Sequence, residues 1–304
     1  ARYIKIETLS PGDAILFNDS ALGSGHFPDF FLIMPIFKGE QLVGYAGATA
    51  HHIDVGGSSP GSQEIEGVTE AYQEGLRILP VRLFRHGELD EDILRMILGN
   101  VRVPDMVHGD LLAQRNAARV GLTRLLALYD EYGEDVVEES FEAILLASEA
   151  RMREFVRALP SGSWEFEDFL DDSGPGTEPV RFHVRVTIDD SDIEFDFSAS
   201  SDEVSAGMNS YYNFTRAWGN FTAMALARAV MPQNEGTIRP IKITAREGSF
   251  FNAVHPAPSG GRATNQVRLF EVVNGALAEA IPHRAMGAFT HWSNPNIGGI
   301  HDRT

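Results

Sequence analysis

Cysteine is absent from the 304 residues. This excludes disulfides and thiolate ligands, so any bound metal must be held by His, Asp, Glu or Asn. Positive charge is scarce: 25 Lys and Arg stand against 43 Asp and Glu, a formal net charge of -18. An acidic surface disfavours a phosphate-backbone ligand, so no nucleic-acid partner is expected, and it disfavours anionic membranes as well. No apolar run approaches the roughly 20 residues that cross a bilayer, and the opening ARYIKIETLSPGD has no apolar core of the kind found in secretory signals. A cytoplasmic chain with no membrane partner is the simplest expectation. There is no G-x-G-x-x-G after a strand and no G-x-x-x-x-G-K-[ST] loop, so ATP, if used, has no recognisable phosphate cradle here. Internal repeats and low-complexity tracts are also missing.

What is present centres on residues 18–62. Two apolar runs of strand character, Phe30–Phe37 and Gln41–Ala50, flank the turn-like Lys38-Gly39-Glu40. Paired as an antiparallel hairpin, they set Asp29 beside His51. His26 lies three residues before Asp29 in the same glycine-rich loop. His26, Asp29 and His51, with His52 or Asp54 also in reach, can therefore meet at one end of one hairpin. Two imidazoles and a carboxylate suit zinc, manganese or iron and leave positions open for water or substrate. The same residues also have an ordinary reading, as hydrogen-bonded surface imidazoles and turn aspartates.

The remainder alternates between helical and strand patterns. A short strand is expected at Ala14–Phe17, and an edge strand at Leu79–Phe84, because Pro80 cannot donate to a ladder. Glu64, Glu66, Glu70 and Glu74 read mostly as a solvated face. A short helix is expected from Asp90 to Asn100 and a second from Pro104. Leu111, Arg115, Ala118, Leu122, Leu125 and Tyr129 form the stripe of this second helix, and Gly133 ends it. Val137, Phe141, Ile144, Ser148, Met152, Phe155 and Leu159 form the stripe of a third. Together they predict a helical hairpin used for core packing or an interface. His108 and Asp110 at its start make only a weak functional pair.

After Pro160-Ser161-Gly162, alternation of period two predicts a β meander. In it Arg181 and Arg185 could pair with Glu194 and Asp196. An aromatic-rich helix is expected from Tyr211 to about Met231, buried against the meander or walling a pocket. A strand at Thr237–Thr244 and a last helix through Ala280 follow. Gly260 and Gly261 at the start of that helix could hold an anion with free N–H groups, and Arg262 would add charge. His291-Trp292-Ser293-Asn294 and Gly298-Gly299 have the look of a site loop.

The strings NDSALGSGHFPDF, AHHIDVGGSSPGS, EAYQEGLRILPVRLF, MILGNVRVPDMVHGDLLAQ, LPSGSWEFEDFLDD, MPQNEGTIRPIKI and GGRATNQV resemble, in that order, the B-type subunit of the hydantoinase/oxoprolinase family. That family also includes the alpha-type subunits of acetone and acetophenone carboxylases. The resemblance implies a chain that is a fragment of a longer subunit within a hetero-oligomer. It implies an A-type partner that carries ATP and activates a small-molecule substrate, and a divalent metal, zinc, manganese or iron, on the B-type chain. His26, Asp29 and His51 would hold that metal, while His52 and Asp54 orient it. Gly260, Gly261 and Arg262 fall near the active region, and no catalytic residue is singled out. The implied reaction is hydrolysis of a cyclic amide such as a hydantoin, oxoproline or lactam, with ketone carboxylation as the alternative. A non-catalytic structural subunit is a further possibility that intact His26, Asp29 and His51 argue against. Ser20-Ala21 departs from the Pro-Tyr or Pro-Trp usual after Asn-Asp, and this leaves a ketone substrate in play.

The expected fold is α+β: mixed β-sheet segments with an inserted helical hairpin and a β meander. Residues 1–86 form a glycine-rich β segment with the metal site, 87–160 the helical hairpin, and 161–304 the meander plus helices completing the same core.

Overall fold

The structure is a computed structural model that describes residues 3–227 and 232–287. Both sheets follow from alternation in the sequence. In the first, β1 (Ala14–Phe17), β2 (Asp29–Lys38), β3 (Gln41–His51), β4 (Val81–Arg85) and β5 (Glu88–Leu89) lie in the order β3-β2-β1-β4-β5. All its pairings are antiparallel. Phe30, Leu32 and Met34 alternate along β2 and turn one face into a core with Leu16, Leu83 and Phe84. β4 is not an edge strand, because the two-residue β5 lies outside it. Pro80 precedes β4, so no ladder donor is lost.

Asp90 caps α1 (Glu91–Leu98) by accepting from the Ile93 N–H. Pro104 opens α2 (Pro104–Tyr132), Gly133 at φ 85° ends it, and α3 (Glu134–Arg157) follows at once. The helical hairpin is therefore where its two stripes place it. Burial divides it between two cores: Val107, Leu111 and Ala118 of α2 join the first sheet, while Met152 and Val156 of α3 join the second. Phe141 and Ile144, expected on the packed stripe, are exposed.

The second sheet joins β6 (Gly162–Leu170), β7 (Val180–Asp189) and β8 (Asp192–Asp196) as the meander, with β9 (Ile241–Thr244) parallel to β8. Val180, Phe182, Val184, Val186 and Ile188 form its inner face against α4 (Tyr212–Ala227) and α6 (Ala263–Leu277). The α+β class is as expected. Three local expectations change. Residues 237–238 belong to a short helix, α5 (Glu235–Ile238), because the Asn234 side chain caps Thr237. α6 closes at Leu277 rather than Ala280. Arg181 and Arg185 pair with Glu167 and Glu165 of β6, while Glu194 takes Lys242. Among the described residues, no helix is long and apolar enough to cross a membrane.

One buried amide locks α2 onto the hairpin. Gln114 donates to the carbonyls of Phe30 (2.8 Å) and Ala48 (3.2 Å), and its oxygen lies 2.9 Å from His52 Nε2. Gln114→Ala strands these buried groups and is expected to lower the unfolding free energy by about 2–4 kcal/mol. In the same urea titration, Arg119→Ala on the exposed face of α2 stays within about 0.5 kcal/mol.

Candidate metal centre

Antiparallel pairing brings the site together. Asp29, first in β2, is in register with His51, last in β3. Gly25 (φ 89°) turns the preceding loop so that His26 returns over the same hairpin end. The His26 and His51 rings stack with centroids 5.0 Å apart. His26 Nε2 lies 3.2 Å from His51 Nδ1, which lies 3.0 Å from Asp29 Oδ1. On its far side, His26 Nδ1 lies 3.1 Å from Asp29 Oδ2. A proton on Nδ1 donated to that carboxylate leaves the Nε2 lone pair facing the cluster. Ser24 Oγ also donates to Asp29 Oδ2.

The electrostatics keep His26 and Asp29 in ligand form. Burial pushes the His26 imidazole down to about 4, against the pull of its hydrogen bond to Asp29, so it is neutral near pH 7. Burial works to raise the Asp29 carboxyl, but hydrogen bonds from His26, His51 and Ser24 outweigh it and hold the group well below the usual carboxylate range.

The residues fit a divalent cation. Donor atoms bonded to one ion at about 2.1 Å, at tetrahedral to octahedral angles, lie about 3.0–3.4 Å apart. The 3.2 and 3.0 Å separations match that, and one donor atom from each of His26, Asp29 and His51 lies within 4.8 Å of the others. Among the described residues, no other group of three or more His, Asp or Glu meets this test. His26 and Asp29 are largely enclosed, but the His51 side chain is 46% exposed, which leaves the cluster open on one side. There it faces a cavity of about 410 Å³ that Gln63, Ile65, Gly260, Gly261, Arg262 and Thr264 also line.

His52 and Asp54 do not touch the cluster. His52 stacks on Phe30 and binds Gln114, and burial pushes its pKa down. Asp54 accepts from the Gly56 N–H and from the Arg102 N–H and guanidinium, which pins the loop after β3. The groups that hold Asp29 are instead Ser24 and Arg262. The Arg262 guanidinium is buried, donates to the Ser24 carbonyl at 2.9 Å, stacks on Phe214 and brings Nη2 to 3.7 Å from Asp29. Burial pushes Arg262 down to about 10, where it is still a cation.

The amides before α6 are not free. Ser259 N and Gly260 N both donate to Glu74 Oε1 at 2.6 Å, Gly261 N donates to the Gly207 carbonyl, and Arg262 N to the Ser259 carbonyl. The anion these first two amides hold is the protein's own Glu74. The two glycines serve close approach: a Cβ on Gly260 would meet the Ser62 carbonyl at 2.2 Å, and one on Gly261 would meet Ile65 at 2.4 Å. Glu74 was read from sequence as one of several solvated acids. It is 3% exposed, and its Oε2 has no hydrogen-bond partner among the described residues. Burial pushes its carboxyl up to about 7, against the two N–H donors. Only its place in the short helical turn Ala71–Glu74, just before Gly75, marks it in the sequence.

Other sequence candidates lie elsewhere. Tyr211 is buried with its hydroxyl on the Ala257 carbonyl, and Phe214 reaches the site only through Arg262. His108 and Asp110 lie on α2, outside the cavity lining. The segment His291-Trp292-Ser293-Asn294 with Gly298-Gly299 lies outside the described residues.

Comparison with known proteins adds four likenesses. A sequence model of the hydantoinase B/oxoprolinase family matches residues 1–304. Caprolactamase subunit beta of Pseudomonas jessenii is 31% identical over 97% of this chain and 51% of its own length. Among solved structures, the ATP-dependent caprolactamase of Pseudomonas jessenii superposes with a TM-score of 0.86 at 30% identity, covering 91% of this chain and 48% of that one. A nucleotide-free acetone carboxylase superposes with a TM-score of 0.81 at 19% identity over 91% of this chain and 38% of that one, a likeness of fold alone. The chain spans about half the length of the hydantoinase and caprolactamase subunits it matches, and less than a quarter of the 5-oxoprolinase of Arabidopsis thaliana.

The Glu74 geometry sets a pH dependence. Its folded value near 7 lies above the ordinary 4.5, so the folded state holds the proton more tightly. The resulting stability is full below about pH 4.5 and is lost as pH rises through 7, on the order of 3 kcal/mol. His26 acts in the opposite sense, losing stability as pH falls from 6.5 towards 4. The difference between Glu74→Gln and the unsubstituted protein isolates the Glu74 part. Urea titrations from pH 4.5 to 8.5 are expected to move that difference in favour of Glu74→Gln; a flat difference would mean that Glu74 is ionised throughout.

Proposed function

The chain belongs to the hydantoinase B/oxoprolinase family, and on that premise we propose that it is the metal-bearing catalytic part of an ATP-dependent complex that opens a cyclic amide. Hydantoins, oxoproline and lactams are the substrate class. The reading rests above all on the convergence of His26, Asp29 and His51 at the open mouth of a cavity of about 410 Å³, room for a small ring. With no phosphate loop in the chain, ATP is assigned to an A-type partner subunit that activates the substrate oxygen before this site acts. The caprolactamase and its beta subunit, both at 30% identity or more, support the amide-opening reading over ketone carboxylation.

His26 and His51 would offer nitrogen lone pairs to a zinc, manganese or iron ion, and Asp29 a carboxylate. Such an ion supplies Lewis acidity and water activation. Ser24 holds the second oxygen of Asp29, so the first keeps its direction toward His51. Arg262 fixes a positive charge at the cavity wall before substrate arrives. It is placed to balance negative charge growing on an attacked carbonyl oxygen or carried by a phosphoryl group.

Elemental analysis of the full-length protein, co-purified with its partner, tests the site. About one zinc, manganese or iron per chain is expected, lost in a His26→Ala, His51→Ala double variant whose circular dichroism is unchanged. Equal metal in both, or none in either, would favour a structural subunit. Ser24→Ala leaves all three ligands in place and is expected to weaken metal affinity about 10–100-fold by competition with a chelator. ATP-dependent ring opening of a lactam, hydantoin or oxoproline supports hydrolysis; bicarbonate incorporation into a ketone would replace it with the carboxylase reading.

A further inference from the structure

Away from the metal centre, the end of the helical hairpin leaves an apolar face uncovered. Leu128 and Tyr132 of α2 and Val136, Phe141 and Ile144 of α3 are all exposed, with Ile144 at 54%. They line a groove of about 400 Å³ between the two helices. Isolated exposed apolar residues are ordinary; a contiguous apolar groove on two helices marks an interaction surface.

The margins of the groove specify what it can accept. Residues 128–146 contain seven acidic residues and no Lys or Arg. On α3, Glu139 follows Val136 by three and Glu138 precedes Phe141 by three, so an acid borders the apolar face on either side. On α2, Glu131 likewise follows Leu128 by three. Glu134 pairs with Lys38, and Glu138 accepts from the Tyr129 hydroxyl. Asp130, Glu131, Asp135, Glu139 and Glu142 are exposed and make no ion pair among the described residues. A second copy of this hairpin would bring acid against acid, which opposes self-association.

We propose that this groove docks an apolar-faced helix of another polypeptide, one whose flanks carry Lys or Arg. Helix-in-groove binding supplies affinity through the apolar anchors, and the acidic margins select the partner and its orientation. The proposal stands apart from the metal reading, because its residues share no contact with the cavity at the hairpin end of the first sheet.

The test uses the full-length protein and two synthetic helical peptides with the same leucine stripe, one flanked by lysines and one by glutamates. Fluorescence anisotropy in about 50 mM salt is expected to show the lysine peptide binding at least about tenfold more tightly than the glutamate peptide. Ile144→Asp and Val136→Asp are expected to cost the lysine peptide about tenfold or more. Both add negative charge, so simple attraction to an acidic protein would survive them. Glu139→Lys with Glu142→Lys is expected to shift preference toward the glutamate peptide. Lysine-peptide binding that ignores Ile144→Asp would overturn the proposal. So would a dimer in sedimentation that Ile144→Asp dissolves, since that makes a second copy the occupant. Failure of both peptides to bind, with a lowered melting temperature in Ile144→Asp, would also overturn it, because the groove is then filled by the protein's own chain.

Discussion

The antiparallel register of β2 against β3 is the constraint on which the site depends. Because Asp29 opens one strand and His51 closes the other, a ladder of backbone hydrogen bonds fixes their separation before any side chain acts. A slip of one residue would turn every side chain of β2 to the other face, taking Phe30, Leu32 and Met34 out of the core. Burial of the apolar face therefore enforces the geometry of the polar end. Gln114 adds a second lock by tying α2 to the Phe30 and Ala48 carbonyls and to His52.

The opposite wall of the cavity is built on a different principle. Ser259, Gly260, Gly261 and Arg262 approach residues 62–74 so closely that side chains at the two glycines are excluded. Glu74 gathers two amides of that segment, Ser259 Oγ donates to the Gly25 carbonyl at 2.6 Å, and the Arg262 side chain runs back to Ser24 and Asp29. Arg262 is thus a buried cation between two carboxylates, Asp29 and Glu74, each of which favours its charge. Buried charges persist only when paired in this way. The wall and the cluster of His26, Asp29 and His51 are one electrostatic unit.

Fold and site were legible to different depths. Period-two alternation located the hairpin and the meander, and apolar stripes with Pro104 and Gly133 located both long helices. Convergence of His26, Asp29 and His51 followed from the hairpin alone. Less legible was what surrounds them. His52 directly follows His51 and Asp54 lies three residues on, but alternation along an extended chain sends His52 to the opposite face, where it meets Gln114. Ser24 carries no local signal and Glu74 only its place before Gly75, since their partners lie in loops far along the chain or in turns of unpredictable shape. Phe141 and Ile144 fit the helical stripe perfectly, yet periodicity reports only which residues share a face and not whether anything packs against it.

The amino-acid order by itself set the type of most elements and which donor atoms the chain can offer. Without cysteine, metal chemistry is limited to nitrogen and oxygen donors, and local backbone preferences together with apolar spacing select strand or helix. Tertiary structure alone decided that Glu74, and not an external anion, occupies the amides before α6, that Arg262 stands beside Asp29, and that one end of the helical hairpin stays uncovered. Those outcomes depend on contacts between residues distant in the chain, such as Glu74 with Gly260, whose free energies depend on burial and mutual distance. Neither quantity exists until the chain has closed on itself.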